Sequence, residues 1–504
     1  MNKKQKRLVR IIAIVMALLL AGGAIFSAIF SLAYAEEATA DRNECALTME
    51  YMANEQALRI SQRLVYTNAS SVHLDRVMFY MPANMFRRQS ALMYDGDALT
   101  QAFPMGYVPG GVELNRISID GTAANWGFQG ENELYLRVAC DLDSGESCEF
   151  TFDYHLLVTE NCAFLGADKT DWRLSGFYFA PASVDESRGE FILNTPIAFT
   201  HYIDTPAADF TASILLPDTC LLTGTGVEQA EKAGEHTLRW TVRAENVRDF
   251  ALSFGNSFKE TLRETASGVR LRCLTSVRSS AERVLDLAEE ALTACEAWFG
   301  PLPLDQLDFA QSGIGADFLT HSGCVWLSKD LLDRSNADEL AHALRFSIAK
   351  QYFGLSAYAR PSSDAWLSDS VCEYISYLLI EKAEGHNTYL RALNERLVPS
   401  LQLTIPGGLV VTSDAALFDA YEYEIVVLNR GAAVFHELRT AMGLENILAG
   451  FRLFHQLGLE KDVLTEMDLV AAMDEASGAS WEKFLTDWVF NIGDYVNQTI
   501  DWLD

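Results

Sequence analysis

The sequence predicts an α+β protein: an N-terminal antiparallel β-domain over residues 36–256, followed by a mostly helical domain over residues 257–504. Two observations predict this order. Apolar residues recur at every second position in the first half and at helical spacing in the second, with the change near Asn256. The composition, 49% apolar and 21% charged over 504 residues, is that of a globular chain long enough for two or three domains.

The elements follow in order. Residues 1–10 carry Lys3, Lys4, Lys6, Arg7 and Arg10 and no acid, and an apolar run over 11–35 follows. This is an export signal in one of two forms. The run is longer than the roughly 7–15 residues of a signal-peptide core, as in an uncleaved membrane anchor. It also ends in Ala33-Tyr34-Ala35, a small-x-small cleavage pattern. In either form the residues from 36 onward face outside the cell. Cleavage would remove five positive charges and take the net charge from −30 to −35.

In the β-domain, Leu134, Leu136 and Val138 alternate with polar positions, as do Phe150, Phe152, Tyr154 and Leu156. Further strands are expected over 210–216, closed by Pro217, and over 238–242 and 250–254. In the second half a helix over 280–299 is ended by Gly300-Pro301. The next, over 336–353, starts with Asn336 and Glu339 in capping-box spacing and stops at Gly354. A third, over 366–383, sets Leu367, Val371, Tyr374, Ile375 and Leu378 on one stripe. Others are expected over 421–442, 444–457 and 465–477, the last ahead of a 481–490 segment. With no linker of biased composition, the two halves are expected to pack directly on each other.

Charge and cysteines narrow the function. The 39 Lys+Arg against 69 Asp+Glu leave −30, which repels phosphate backbones and anionic lipid, so no nucleic-acid partner is expected and the membrane is reached only through the N-terminal segment. Nine cysteines cannot all pair within one chain, and no C-x-x-C occurs. Cys140 and Cys148 flank a turn-like segment and either pair across a hairpin or stay as buried thiols.

The helix over 336–353, the next one and their spacing resemble the zinc aminopeptidases of the alanyl-aminopeptidase (aminopeptidase N) type, peptidase family M1. That family carries His-Glu-x-x-His-Gln-Trp-Phe-Gly on one helix and Trp-Leu-Asn-Glu at the next. Here the frame reads Phe346-Ser347-Ile348-Ala349-Lys350-Gln351-Tyr352-Phe353-Gly354, then Trp366-Leu367-Ser368-Asp369, with the family's interval of eighteen residues between Lys350 and Asp369. Other stretches agree in order: Phe299-Gly300-Pro301-Leu302-Pro303, the strand Gly323-Cys324-Val325-Trp326-Leu327-Ser328, the helix start Asn429-Arg430-Gly431-Ala432-Ala433-Val434, and Ala476-Ser477-Gly478 with Trp488 and Gly493. In the front half, the stretch 172–181 and Asp249-Phe250-Ala251 resemble strands of the family's β-domain, and the likeness runs over roughly 45–495. The resemblance implies an aminopeptidase-like β-domain followed by a thermolysin-like (gluzincin) helical domain.

A catalytic zinc of this class needs two His at i and i+4, a carboxylate from a neighbouring helix and an open position for water, whose proton the Glu after the first His takes. The resemblance places Phe346 and Lys350 at the two His positions, Ser347 at the base and Asp369 at the carboxylate. Phe offers no lone pair, and a protonated Lys repels a dication. The family's Gly-x-Met-Glu-Asn segment, whose Glu binds the substrate's amino terminus, falls on Asp317-Phe318-Leu319-Thr320-His321, with Thr320 at the Glu. The Tyr that stabilises the oxyanion falls on Leu428. A metal is therefore not expected, and without it Asp369 would be an unpaired buried carboxylate, so an ion pair between Lys350 and Asp369 is expected. A shifted zinc site built from Glu339, His342 and His321 is the alternative.

No two of the nine His stand at i, i+4, and neither a G-x-S-x-G elbow nor a Gly-rich phosphate loop occurs. Cys324 and Cys372 fall near the cleft, as buried thiols or as nucleophiles if a base lies beside them. Three functions remain. One is an extracellular or membrane-anchored pseudopeptidase whose cleft binds a peptide or protein partner. The others are an active zinc metallopeptidase with non-standard ligands and a structural envelope protein.

Overall fold

The computed structural model describes residues 42–490, apart from 95, 131, 132, 170 and 202. The expected export segment and Gly493 lie outside the described residues. No helix among the described residues is long and apolar enough to cross a membrane.

The first half is built on an eight-stranded sheet. Its strands lie in the order Val227–Lys232, Thr237–Val247, Ala208–Pro217, Asn43–Met52, Ala57–Thr67, Ser147–Leu157, Gly111–Ile119 and Thr122–Ala123. Ser147–Leu157 shows why the alternation reads as a strand: Phe150, Phe152, Tyr154 and Leu156 are all fully buried, and their neighbours face outward. These rings meet a second sheet, with Phe79 edge-on to Phe150 at 5.2 Å and Phe179 stacked on Phe152 at 4.7 Å. The expected antiparallel order has one exception. Asn43–Met52 and Ala208–Pro217 run parallel, and the long connection between them also supplies the four-stranded sheet that holds Leu74–Tyr80 and Tyr135–Leu142.

Cys140 and Cys148 do not face each other across a hairpin. Their strands, Tyr135–Leu142 and Ser147–Leu157, belong to different sheets, because the short turn between them carries the chain from one layer to the other. All nine cysteines are free thiols.

The second half begins with strands, where helical periodicity was expected. A five-stranded mixed sheet has the order Lys259–Glu264, Arg270–Thr275, Gln306–Ser312, Cys324–Ser328 and Phe318–His321, which leaves Phe318–His321 at an edge. Gln306–Ser312 and Cys324–Ser328 are buried at every position, so they lack the alternation of a half-exposed strand. Helix Arg278–Phe299 covers this sheet with the stripe Ala281, Val284, Leu285, Ala288, Leu292 and Cys295.

Helices Ala337–Tyr352 and Asp369–Glu384 then pack side by side. Asn336 does not cap the first, since its side chain donates to the Asp330 carbonyl instead (2.8 Å). The expected 366–383 helix is broken: a short turn Ala365–Leu367 precedes a helix that starts at Asp369. A further helix, His386–Gln402, was not expected; it buries a narrow stripe of Tyr389, Leu393, Leu397 and Leu401 and holds Pro399 in its last turn. The expected 421–442 helix is three pieces: Ala420–Tyr423, a π-helical stretch Glu424–Arg430, and Gly431–Met442.

The halves pack directly on each other. Arg248 reaches Asp462 (2.5 Å), and Asp171 accepts a hydrogen bond from Ser312 (2.8 Å).

Candidate functional site

Three segments bring the frame residues together. Helix Ala337–Tyr352 carries Phe346 and Ser347 on one turn and Lys350 on the next, and helix Asp369–Glu384 opens on Asp369. The loop of the first half that contains Thr200 crosses over them. A carboxylate in the first turn of a helix gains from the N–H groups that point at it. The backbone between the two helices turns at Gly354 (φ 119°), where a Cβ would strike Ser368 Oγ and crowd the Lys350 ammonium, so no larger residue fits there.

Lys350 Nζ donates to Asp369 Oδ1, in contact, and to Ser368 Oγ at 2.8 Å. The other carboxylate oxygen, Asp369 Oδ2, accepts from Tyr423 OH at 2.6 Å and Thr200 Oγ1 at 3.0 Å. Asp369 is thereby buried and fully partnered. Burial works to raise its pKa, but the Lys350 ammonium and the hydrogen bonds from Lys350, Tyr423 and Thr200 hold it below the ordinary carboxylate value. The Tyr423 hydroxyl is pushed far up by burial and by the Asp369 charge, so it remains a donor.

Beside this centre, Thr320 Oγ1 and Ser347 Oγ hydrogen-bond to each other at 2.8 Å. Phe346 is packed edge-on against Phe318 (5.9 Å), and Leu428 lies part-buried in the π-helical stretch. Cys372 donates to the Phe353 carbonyl, and burial pushes its pKa and that of Cys324 far up, which leaves both thiols protonated.

The alternative set Glu339, His342 and His321 is not brought together. His342 Nε2 faces both oxygens of the buried Glu373 at 3.0 Å, and His321 Nδ1 faces Asp249 Oδ2 at 2.9 Å, while Glu339 is exposed in the first turn of its helix. Each His is claimed by a buried carboxylate of its own. Burial works against the Asp249 charge, but the bonds from His321 and Ser322 lower its pKa to about 2.

A zinc ion of the gluzincin kind needs three converging donors and an open position. Here the three positions are a phenyl ring, an ammonium and a carboxylate already filled by Lys350, Tyr423 and Thr200. The residues present do not fit that metal, and no group of three or more metal-binding side chains occurs among the described residues. Ser347 lacks the carboxylate that would take a proton from water, and Leu428 has no hydroxyl for an oxyanion.

Sequence reasoning missed the partners that complete the centre: Thr200, Tyr423 and Ser368 around Asp369, and Glu373 and Asp249 beside the two His. Tyr423 had one local signal, the capping box of Asp419 and Glu422 that fixes its turn. Thr200 had none, standing 169 residues from its partner.

The comparisons agree with this architecture. No family model matches the chain. A stretch of 244 residues, 44% of this chain, is 25% identical to Aminopeptidase M1-B of Oryza sativa subsp. japonica; the match spans 27% of that protein's length. The crystal structure of an M1 zinc metallopeptidase from Deinococcus radiodurans superposes with a TM-score of 0.60, over 90% of this chain and 94% of that one, at 17% identity. A mutant of the same enzyme gives 0.61, over 89% and 94%, also at 17% identity. The fold is that of the M1 zinc metallopeptidases, a β-domain followed by a largely helical domain.

Proposed function

We propose that this chain is an exported, non-catalytic protein of aminopeptidase-like architecture that uses the former catalytic cleft to bind a peptide or protein partner. One observation carries the reading. The Lys350 ammonium sits on Asp369 where the M1 frame calls for a zinc-binding imidazole, and the carboxylate has no capacity left for an ion. A cation that is part of the chain thus balances a charge that an exchangeable dication would balance in an enzyme. The partner-binding surface is the rim around this centre, where Phe318, Thr320, Phe346 and Leu428 are each part-exposed. Residues 1–35 supply the export signal.

Two measurements test it. The full-length chain, incubated with excess zinc and dialysed, should retain far less than stoichiometric metal. It should release no amino acid from aminoacyl or peptide substrates in a chelator-sensitive manner. Stoichiometric zinc with chelator-sensitive turnover would establish an active metallopeptidase instead.

A further inference from the structure

Away from the cleft, a second buried cluster joins the halves. Arg272, on strand Arg270–Thr275, is almost wholly buried and holds three carboxylates. Its Nη1 meets Glu228 Oε1 at 2.9 Å and Asp308 Oδ2 at 3.0 Å, and its Nε meets Glu260 Oε1 at 2.5 Å. Glu228 comes from the first half, on strand Val227–Lys232, while Asp308 lies in the middle of Gln306–Ser312. The same two carboxylates share one more donor, since Gln306 Nε2 bonds Glu228 Oε2 at 2.7 Å and Asp308 Oδ1 at 2.9 Å. Thr223 Oγ1 donates to Asp308 Oδ2 (2.5 Å), and Arg272 Nη2 closes on the Leu222 carbonyl (2.8 Å).

Charge does not balance there. The side chains of Glu228 and Asp308 are almost entirely shielded from water, Glu260 is exposed, and a single guanidinium faces all three. Arg270 is a further nearby cation, and its Nη1 donates to the side-chain oxygen Oε1 of Gln306 at 3.2 Å. Cys273 and Cys324, close to Asp308, are kept protonated by burial and contribute no charge. Two carboxylates converging on the same two donors in a dry site cannot both ionise without a large cost.

We propose that Glu228 and Asp308 hold one shared proton, and that its loss as the solution turns alkaline weakens the contact between the two halves. Burial, and after it the Asp308 charge, raises the pKa of Glu228 to about 7, against the relief given by Arg272 and Gln306, and burial raises that of Asp308 as well. An acid whose pKa is raised on folding stabilises the fold when protonated. Its contribution is complete below the ordinary Glu value of 4.5 and is lost as pH rises through about 7. The clasp is therefore closed in mild acid and strained above neutrality.

The test compares thermal unfolding and amide exchange of the full chain with Glu228→Gln, and independently with Asp308→Asn, from pH 5 to pH 8.5. Gln mimics the protonated acid, so parent and Glu228→Gln should melt together at pH 5. At pH 8.5 the variant should melt about 2 °C or more above the parent. Amides of strands Val227–Lys232 and Gln306–Ser312 should exchange faster in the parent as pH rises, beyond the intrinsic effect of pH, and not in the variant. Melting curves of parent and Glu228→Gln that run parallel across the range, with equal protection of both strands, would overturn the proposal. If Glu228→Gln does not fold, the same convergence at pH 5 and divergence at pH 8.5 is required of Asp308→Asn.

Discussion

Lys350→Met removes the ammonium from Asp369 and keeps most of the side-chain stem, so it isolates the charge. Removing one partner of a buried ion pair costs about 3–5 kcal/mol, chiefly because the remaining charge is stranded. Lys350 and Asp369 are 13% and 6% exposed at the side chain, close to that limit. Asp369 keeps its bonds from Tyr423 and Thr200, which lowers the expected loss to about 2–3 kcal/mol. The sign with pH follows from the depressed Asp369 pKa. In the parent the carboxylate contributes stability above its ordinary value of 3.8 and loses it as pH falls through the folded value. In the variant, burial without a cation raises the pKa, so the penalty is fully present at neutral pH. The gap between the two proteins should be widest near neutrality and close in acid. Urea unfolding at several pH values, in a cycle with Asp369→Asn, measures it. A variant within about 0.5 kcal/mol of the parent at neutral pH, or strictly additive single effects, would refute the reasoning.

Tyr423→Phe removes one hydrogen bond to a buried charge and should cost about 1.5–3 kcal/mol in the same assay, with the larger part at neutral pH. Asp249→Asn should lose about 2 kcal/mol at neutral pH, because its pKa falls from 3.8 to about 2 on folding. That loss should disappear as pH drops from about 4 towards 2, where the parent carboxylate is itself protonated. Phe346→His, Ser347→Glu and Lys350→His combined restore the donors that the frame lacks, and the triple variant should retain zinc on dialysis where the parent does not. Failure of that variant to bind zinc while still folded would mean that the two helices do not hold the M1 metal geometry.

Helices that turn a broad stripe to a core, such as Arg278–Phe299 and Leu444–Glu460, were plain in the sequence, whereas His386–Gln402, with its narrow stripe, was not. Buried strands were not. Gln306–Ser312 and Cys324–Ser328 are buried at every position, and in Gln306–Ser312 the polar Gln306, Asp308, Gln311 and Ser312 are buried too, so polarity does not mark an outer face there. The parallel pairing of Asn43–Met52 with Ala208–Pro217 joins residues some 165 apart in number (Asn43 to Ala208), beyond any local signal. At the centre, the resemblance of the frame to the aminopeptidase motif named Lys350 and Asp369 together. It could not name Thr200 or Tyr423, whose hydroxyls become ligands of the carboxylate only once distant segments close over it.

The bond from Thr200 to Asp369 also bears on how the molecule matures. One end belongs to the early-synthesised half and the other to a helix made much later, so the carboxylate can gain this ligand only after the two parts have docked. Lys350, Ser368 and Tyr423 surround Asp369 from within its own half, and Thr200 adds the one ligand that comes from the other. The bond between Thr200 and Asp369 is thus a mark of the joined molecule, absent from either half alone.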